Sequence, residues 1–515
     1  MAQRKKIKEK ITIHPVMAFI LLIVATLLIS GLLTLFNVSA SYKVINPIKL
    51  DYTTTTESVN SLVSLSGIKY IFSNTVANFA NFTVLSHLII VLLGIGVMEY
   101  SGFLRTAIGV LTKRAKKNVI TYVIVLVCLL ASIMDNLPFI AFIPLAALIF
   151  KYGKRNPNIG IIASFASLTC GYGLSVFFTS VDSSLAKLTT QAAHLLDADF
   201  KFGSFSLILI MTIAIFVLSF VITYITENYI ARKLPKYEFE ENDILETEDL
   251  TRGQLKGLVL AGLGSIAYLL IFIYNIIPGL PFSGNFLNYS ENLYIDKLFG
   301  IDSFFANGFV FIVTVLFIIW GLLYGIGAKT IKNNHDFVES LGYSLNGIGK
   351  ILVFIFASAT FISIFKHTNI GNVIVSALTN LVAGSNFTGL ALVILLFVAS
   401  SISTLFVPGT VARWSIMSSQ VVPTFINIGI SGEFAQLIFR FGECATLGLT
   451  PLFAYYIIYL AYLEKYNQDG QSMSILNSIK YQTSYSFATI AVLLAIAVIW
   501  YLISLPLGIS GSIAV

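Results

Sequence analysis

Arg440 and Glu443 stand inside an apolar run, residues 434–463, that has little other reason to carry charge. A charge at bilayer depth costs about 2.5 to 3.5 kcal/mol on insertion scales, so such a residue faces a bundle interior or water. Three positions apart on a helix, the two share a face and can pair. Two readings follow: a structural intramembrane ion pair, or an anion site in which the planar guanidinium of Arg440 holds the substrate while Glu443 orients it or exchanges protons. Gly442, between them, permits close backbone approach. Asp182 lies in a second polar interruption, Ser180-Val181-Asp182-Ser183-Ser184, with hydroxyls on either side. At the membrane surface it is a helix cap; at depth it is a proton or cation carrier. Arg413 and Trp414 follow a breaker, Val407-Pro408-Gly409-Thr410, and the tryptophan is either an interface anchor or a platform for an aromatic ligand. Asp135 and Asn136 precede Pro138 in the middle of another apolar block, where they suit a cation such as sodium or the capping of half-helices.

These residues need a membrane around them, and composition supplies it. The chain of 515 residues is 57% hydrophobic and 11% charged, with a mean hydropathy of +0.86. No soluble domain of this size solvates such a surface, so the class is an all-α polytopic membrane protein. The net charge of +7 sits mainly in short loops, as an orientation signal and a contact with lipid, and no basic, aromatic-interleaved surface points to nucleic acid. Cys128, Cys170 and Cys444 lie in apolar context without paired spacing, and the five histidines show no ligand spacing, so neither a disulfide framework nor a metal site is indicated. No GxxxxGK loop is present, which leaves an ion gradient, of protons or sodium, as the energy source. No convergent Ser/His, His/Glu or Asp/Asp set suggests an intramembrane enzyme.

Hydropathy and basic flanks give the layout. MAQRKKIKEK before the apolar run Val16–Phe36 reads as a cytoplasmic N-terminus and a retained first span. Residues 1–84 comprise that span and an external loop. Residues 85–237 form a first repeat, 238–255 an acidic cytoplasmic linker, 256–345 a two-span connecting unit, 346–470 a second repeat, and 471–515 a last span with an external C-terminus. Within the first repeat, residues 118–150 are flanked by Lys113, Arg114, Lys116 and Lys117 before and by Lys151, Lys154 and Arg155 after. Both ends therefore lie on the cytoplasmic side, and 33 residues are too few for two spans of about 20 each plus a turn. A re-entrant hairpin follows. The block 388–425, interrupted at Pro408, Gly409 and Thr410, is its counterpart from the opposite side. Nine crossings, two opposed re-entrant hairpins and a broken helix are the inverted-repeat layout of a secondary transporter.

Several stretches together resemble the p-aminobenzoyl-glutamate transporter family: LLGIGVMEYSGFL (92–104), MDNLPFIAFIPLAALIF (134–150), the turn before Asp182, ITENYIARKLPKY (225–237), HTNIG (367–371), TVARWSIMSSQVVPTF (410–425) and RFGECATLGLTPLFAYY (440–456). The resemblance implies a homodimer in the inner membrane that moves small aromatic, anionic folate-type compounds with a proton or sodium gradient and no other cofactor; the family includes exporters of sulfonamide antimetabolites. It carries substrate or coupling roles onto Asp182, Trp414 and Arg440 as identities, and onto Glu443 where the family has aspartate. Departures stand at Ser175, Thr404 and Leu447, where asparagine is usual, and at Val411 and Cys444, where serine is. They leave substrate choice and coupling ion open, with a cation-coupled dicarboxylate carrier of similar hairpin architecture as the alternative.

Overall fold

The computed structural model describes residues 13–46, 51–112, 116–134, 136–203, 205–239, 250–300, 303–468, 472–508 and 513–515. Lys113, Arg114, Asp135 and the acidic run 240–249 lie outside the described residues. The chain opens with α1 (Pro15–Leu35), a two-stranded antiparallel hairpin of β1 (Ser39–Asn46) and β2 (Asp51–Ser58), then α2 (Leu65–Ala80), α3 (Thr83–Tyr100) and α4 (Phe103–Thr112). Next come α5 (Lys117–Leu130), α6 (Leu137–Tyr152), α7 (Pro157–Cys170), α8 (Ser180–Ala193), α9 (Ile208–Ile225) and the short α10 (Ala231–Lys233). The middle holds α11 (Arg252–Ile276), α12 (Tyr294–Phe299), α13 (Phe304–Ala328) and α14 (Asn334–Tyr343). The rest is α15 (Gly349–His367), α16 (Ile370–Ala383), α17 (Gly389–Phe406), α18 (Thr410–Asn427), α19 (Gly432–Thr446), α20 (Tyr456–Lys465) and α21 (Ile475–Ile503).

Eight helical stretches among the described residues are long and apolar enough to cross a membrane. Two of them, Pro15–Leu35 and Arg252–Ile276, are only 17% and 11% buried, as expected of helices whose apolar flanks face lipid. They belong to a frame in which α13 packs between α3 and α11, and α15 packs on α1 and α2. Inside it, α5 and α6 lie against α7, α17 against α19, and α18 against α8.

One motif occurs twice in this inner region. A pair of helices joined by a tight break, α5/α6, is followed by an interrupted helix, α7 then α8; another pair, α17/α18, is followed by α19 then α20. In the first pair the join is a 3₁₀ turn, Ala131–Met134, and Pro138 sits in the first turn of α6, where its missing N–H costs nothing. At 14 and 16 residues, α5 and α6 are about 21 and 24 Å long, short of a hydrocarbon core of about 30 Å. In the second pair α17 ends at Phe406 and α18 begins at Thr410, with Pro408 and Gly409 between them. Arg155, one of the basic residues flanking the first block, pairs with Glu227 at 2.6 Å and ties the end of the first pair to the π-turn Thr226–Ile230 after α9.

Three sequence expectations change. The interruption after α7 falls at residues 171–179, and Ser180–Ser184 forms the first turn of α8, because small polar residues that look like a breaker also make a good helix N-terminus. The run 434–463, expected as one continuous crossing, is broken after Thr446 and resumes at Tyr456. The external loop expected after the first span contains the β-hairpin, in which β-branched Thr53–Thr56 pair with Val44–Ser41, and is followed by α2. That hairpin is fastened to the inner region: Asn380 donates to the Ser41 carbonyl at 2.6 Å and Tyr52 to the Ser419 carbonyl at 3.3 Å.

Candidate functional site

Thr179 caps α8, its hydroxyl accepting from the Asp182 amide at 3.2 Å while Asp182 Oδ2 accepts from the Thr179 amide at 3.0 Å and hydroxyl at 2.7 Å. This is a reciprocal capping box. Only one carboxylate oxygen is used. The other, Oδ1, accepts from Arg440 Nη1 at 2.7 Å, and both side chains are nearly fully buried. A cap need not be exposed: Asp182 caps a helix that begins inside the protein.

Arg440 is held on every nitrogen. Nε donates to the Gly173 carbonyl at 3.1 Å and Nη2 to the Tyr172 carbonyl at 3.3 Å, so the unwound segment after α7 presents its backbone as a cradle. Gly173 must be glycine for this approach. A Cβ there would stand 2.6 Å from the Arg440 carbonyl and 2.9 Å from Cys444 Sγ, and its own amide donates to that sulfur at 3.1 Å. Gly442 has a comparable role against α17, where a Cβ would meet Ser400 Cβ at 2.6 Å and the Phe397 carbonyl at 2.7 Å.

The Arg440–Glu443 pair expected from spacing is the loosest link in the cluster, with Nε and Oε2 4.0 Å apart. The principal partner of Glu443 is Arg413, whose Nη2 donates to Oε1 at 2.5 Å, joined by the Thr410 hydroxyl at 2.6 Å. Arg413 and Glu443 are both fully buried. The result is a chain of alternating charge, Asp182, Arg440, Glu443, Arg413, drawn from α8, α19 and α18. Its net charge is zero, which is how four ionised groups can share an apolar interior. Arg413 was missed as a site residue. Its signal was present: a cation within an apolar block at depth, the same argument that singled out Arg440.

Trp414 is fully buried, its indole N–H donating to Thr189 at 2.9 Å and its ring 4.6 Å from Phe439, so it is not an interface anchor. Thr189 in turn donates to Gln436 Oε1 at 2.6 Å, while Gln436 Nε2 is buried and has no hydrogen-bond partner among the described residues. Gln436 and Asp182 border a small cleft walled by Phe177, Phe178 and Phe202. Asn136 is engaged by Tyr172, whose hydroxyl donates to Oδ1 at 3.3 Å, and Pro408 and Gly409 serve as the link into α18. Of the departures, Thr404 and Cys444 are polar members of the cluster, Ser175 accepts from the Phe177 amide at 3.1 Å on the cleft wall, Leu447 is buried where α19 breaks, and Val411 is exposed.

This arrangement can be set beside known proteins. The family model described as "AbgT putative transporter family" matches residues 5–515. The p-aminobenzoyl-glutamate transport protein of Escherichia coli K12 is 26% identical over 495 residues, 96% of this chain and 93% of that protein. Two solved structures are similar: the Alcanivorax borkumensis YdaH transporter, at 23% identity and TM-score 0.48 over 96% of this chain and all of that one, and Neisseria gonorrhoeae MtrF, of a class of antimetabolite efflux pumps, at 26% identity and TM-score 0.47 over 96% of each. With a match running over nearly the whole sequence, and a buried charge cluster built between interrupted helices, the chain belongs to the AbgT family of membrane transporters.

Proposed function

We propose that this chain is a secondary transporter of p-aminobenzoyl-glutamate and related folate-type aromatic carboxylates in the inner membrane, driven by an ion gradient. The substrate class rests on the Escherichia coli relative, and sulfonamide antimetabolites, as mimics of the same p-aminobenzoyl group, are further candidates, as exported compounds. The observation that carries the mechanism is the engagement of Arg440 by Asp182 at 2.7 Å. A substrate carboxylate that approaches the Nη1 side of that guanidinium competes with Asp182 for it. Protonation of Asp182 removes its claim on Arg440, so proton binding and anion binding favour each other, by equal factors in each direction. Deprotonation returns Asp182 to Arg440 and expels the anion. The helix pairs, arranged as inverted repeats with re-entrant tips, would supply alternating access around this fixed pair, with a homodimer as the working unit.

The test is counterflow and gradient-driven uptake of radiolabelled p-aminobenzoyl-glutamate in proteoliposomes, with imposed proton or sodium gradients. Substrate binding to the detergent-purified protein should strengthen as pH falls, and that dependence should vanish in Asp182→Asn, which binds but does not concentrate substrate. Arg440→Lys keeps the charge and loses the planar fork, so it should weaken binding of the carboxylate while the protein stays folded. Binding unaffected by Arg440→Lys and Arg440→Ala would return Arg440 to a structural role. Accumulation that follows sodium alone and tolerates dicarboxylates would favour a dicarboxylate carrier instead.

A further inference from the structure

Arg413 lies in the first turn of α18, the positive end of that helix, where a cation is disfavoured, and it is fully buried there. Its place is therefore set by its partners. They are all oxygens. Nη1 donates to the Ser400 carbonyl at 3.3 Å, Ser403 Oγ at 3.3 Å and Thr404 Oγ1 at 2.7 Å, and Nη2 donates to Glu443 Oε1 at 2.5 Å. The carbonyl and the two hydroxyls come from the last turns of α17, the negative end of that helix. Phe439, its ring 4.8 Å from the guanidinium carbon, contributes a cation–π contact, and Thr410 completes the oxygen wall on the side of Glu443. One backbone carbonyl and two hydroxyls on Nη1 and one carboxylate on Nη2, all buried beside a helix C-terminus, form the donor set that a hard metal cation selects.

We infer that the guanidinium of Arg413 is a tethered cation in an oxygen cage that would otherwise hold a small monovalent ion such as sodium, so that the Glu443 side of the cluster has no exchangeable cation and removing the side chain opens a cation site. The tether matters for function because a covalently held charge cannot be released to either side of a membrane. Glu443 stays neutralised through any cycle, and ion exchange is confined to the Asp182 side. The inference depends on no particular substrate.

Thermal unfolding of the purified full-length protein in sodium, lithium, potassium and choline chlorides at equal ionic strength, with ²²Na⁺ binding alongside, tests it. Wild type should melt alike in sodium and choline and should show no ²²Na⁺ binding that Glu443→Gln removes. Arg413→Ala should melt lower in choline and gain a saturable rise in Tm with sodium or lithium, together with ²²Na⁺ binding that low-millimolar guanidinium displaces. The double variant Arg413→Ala/Glu443→Gln should lose that gain. Arg413→Lys, which keeps a tethered charge, should remain indifferent to sodium and serves where Arg413→Ala does not yield folded protein. Sodium binding by the wild type that Glu443→Gln abolishes, or an Arg413→Ala protein that folds without any cation-specific rise in Tm, overturns the inference.

Discussion

The two interrupted helices, α7/α8 and α19/α20, are alike in burial and opposite in chemistry. Every residue of α7 and of α19 is buried. Yet α7 carries no charge, whereas α19 carries Glu433, Arg440 and Glu443 on intact helix before its break. The first interruption answers with irregular backbone and one acid: the carbonyls of Tyr172 and Gly173, and Asp182 in the first turn of the helix that restarts. A carboxylate there is favoured by the helix dipole as well as by Arg440. The unequal division has a physical reason. A regular helix consumes its own carbonyls, so it can offer only side-chain charges, while an unwound segment at depth has carbonyls to spare and must place them against protein donors. Arg440, with five N–H donors, meets that need. Among the described residues no comparable cation is recorded against the second interruption, residues 447–455, which is flanked by the buried aromatic residues Tyr456, Tyr459 and Tyr462.

The comparison breaks first where the second half is densest in charge. Arg413→Ala leaves Glu443 buried without its main partner and should cost about 3 to 5 kcal/mol, read as a drop in Tm. An apolar pair of similar volume, Arg413→Met with Glu443→Leu, should recover most of that loss in a double-mutant cycle. Gly173→Ala tests the first half. With its Cβ forced to 2.6 Å from the Arg440 carbonyl, about 1 to 3 kcal/mol should be lost, and substrate binding with it, since α19 must shift. Thr179→Ala removes the cap of α8 and should cost about 1 kcal/mol; because it also releases Asp182 Oδ2, the pH dependence of substrate binding should move, which a purely local cap would not cause. Gly409→Ala is expected to be nearly silent. Its φ is −80° and a Cβ would meet only Ala412 Cβ at 3.7 Å, so equal damage from Gly409→Ala and Gly173→Ala would end the claim that the first half's glycine serves a tight cradle.

Both halves were partly legible. Breakers at Pro138 and at Pro408–Gly409 predicted the two tight joins, since proline and glycine act on their own backbone and need no distant partner. The second break, at residues 447–455, was not legible, because Leu447, Gly448 and Leu449 look like any apolar run and only packing around them decides that the helix stops. The β-hairpin was hidden for another reason: short exposed strands carry no apolar alternation to read.

Sequence by itself determined that this is a multi-pass membrane transporter with charges at depth, because hydropathy, helix period and the cost of a buried charge are properties of short stretches. Only the tertiary structure decided who neutralises whom. Local spacing pointed to Arg440 with Glu443, a pair that stands at 4.0 Å, while the contacts at 2.7 Å and 2.5 Å join Arg440 to Asp182 and Glu443 to Arg413, far apart in the chain. A helix turn brings side chains near one another, but in a low-dielectric interior the pairing goes to whichever partners satisfy the most lone pairs and N–H groups at once, and these are found only when distant segments meet.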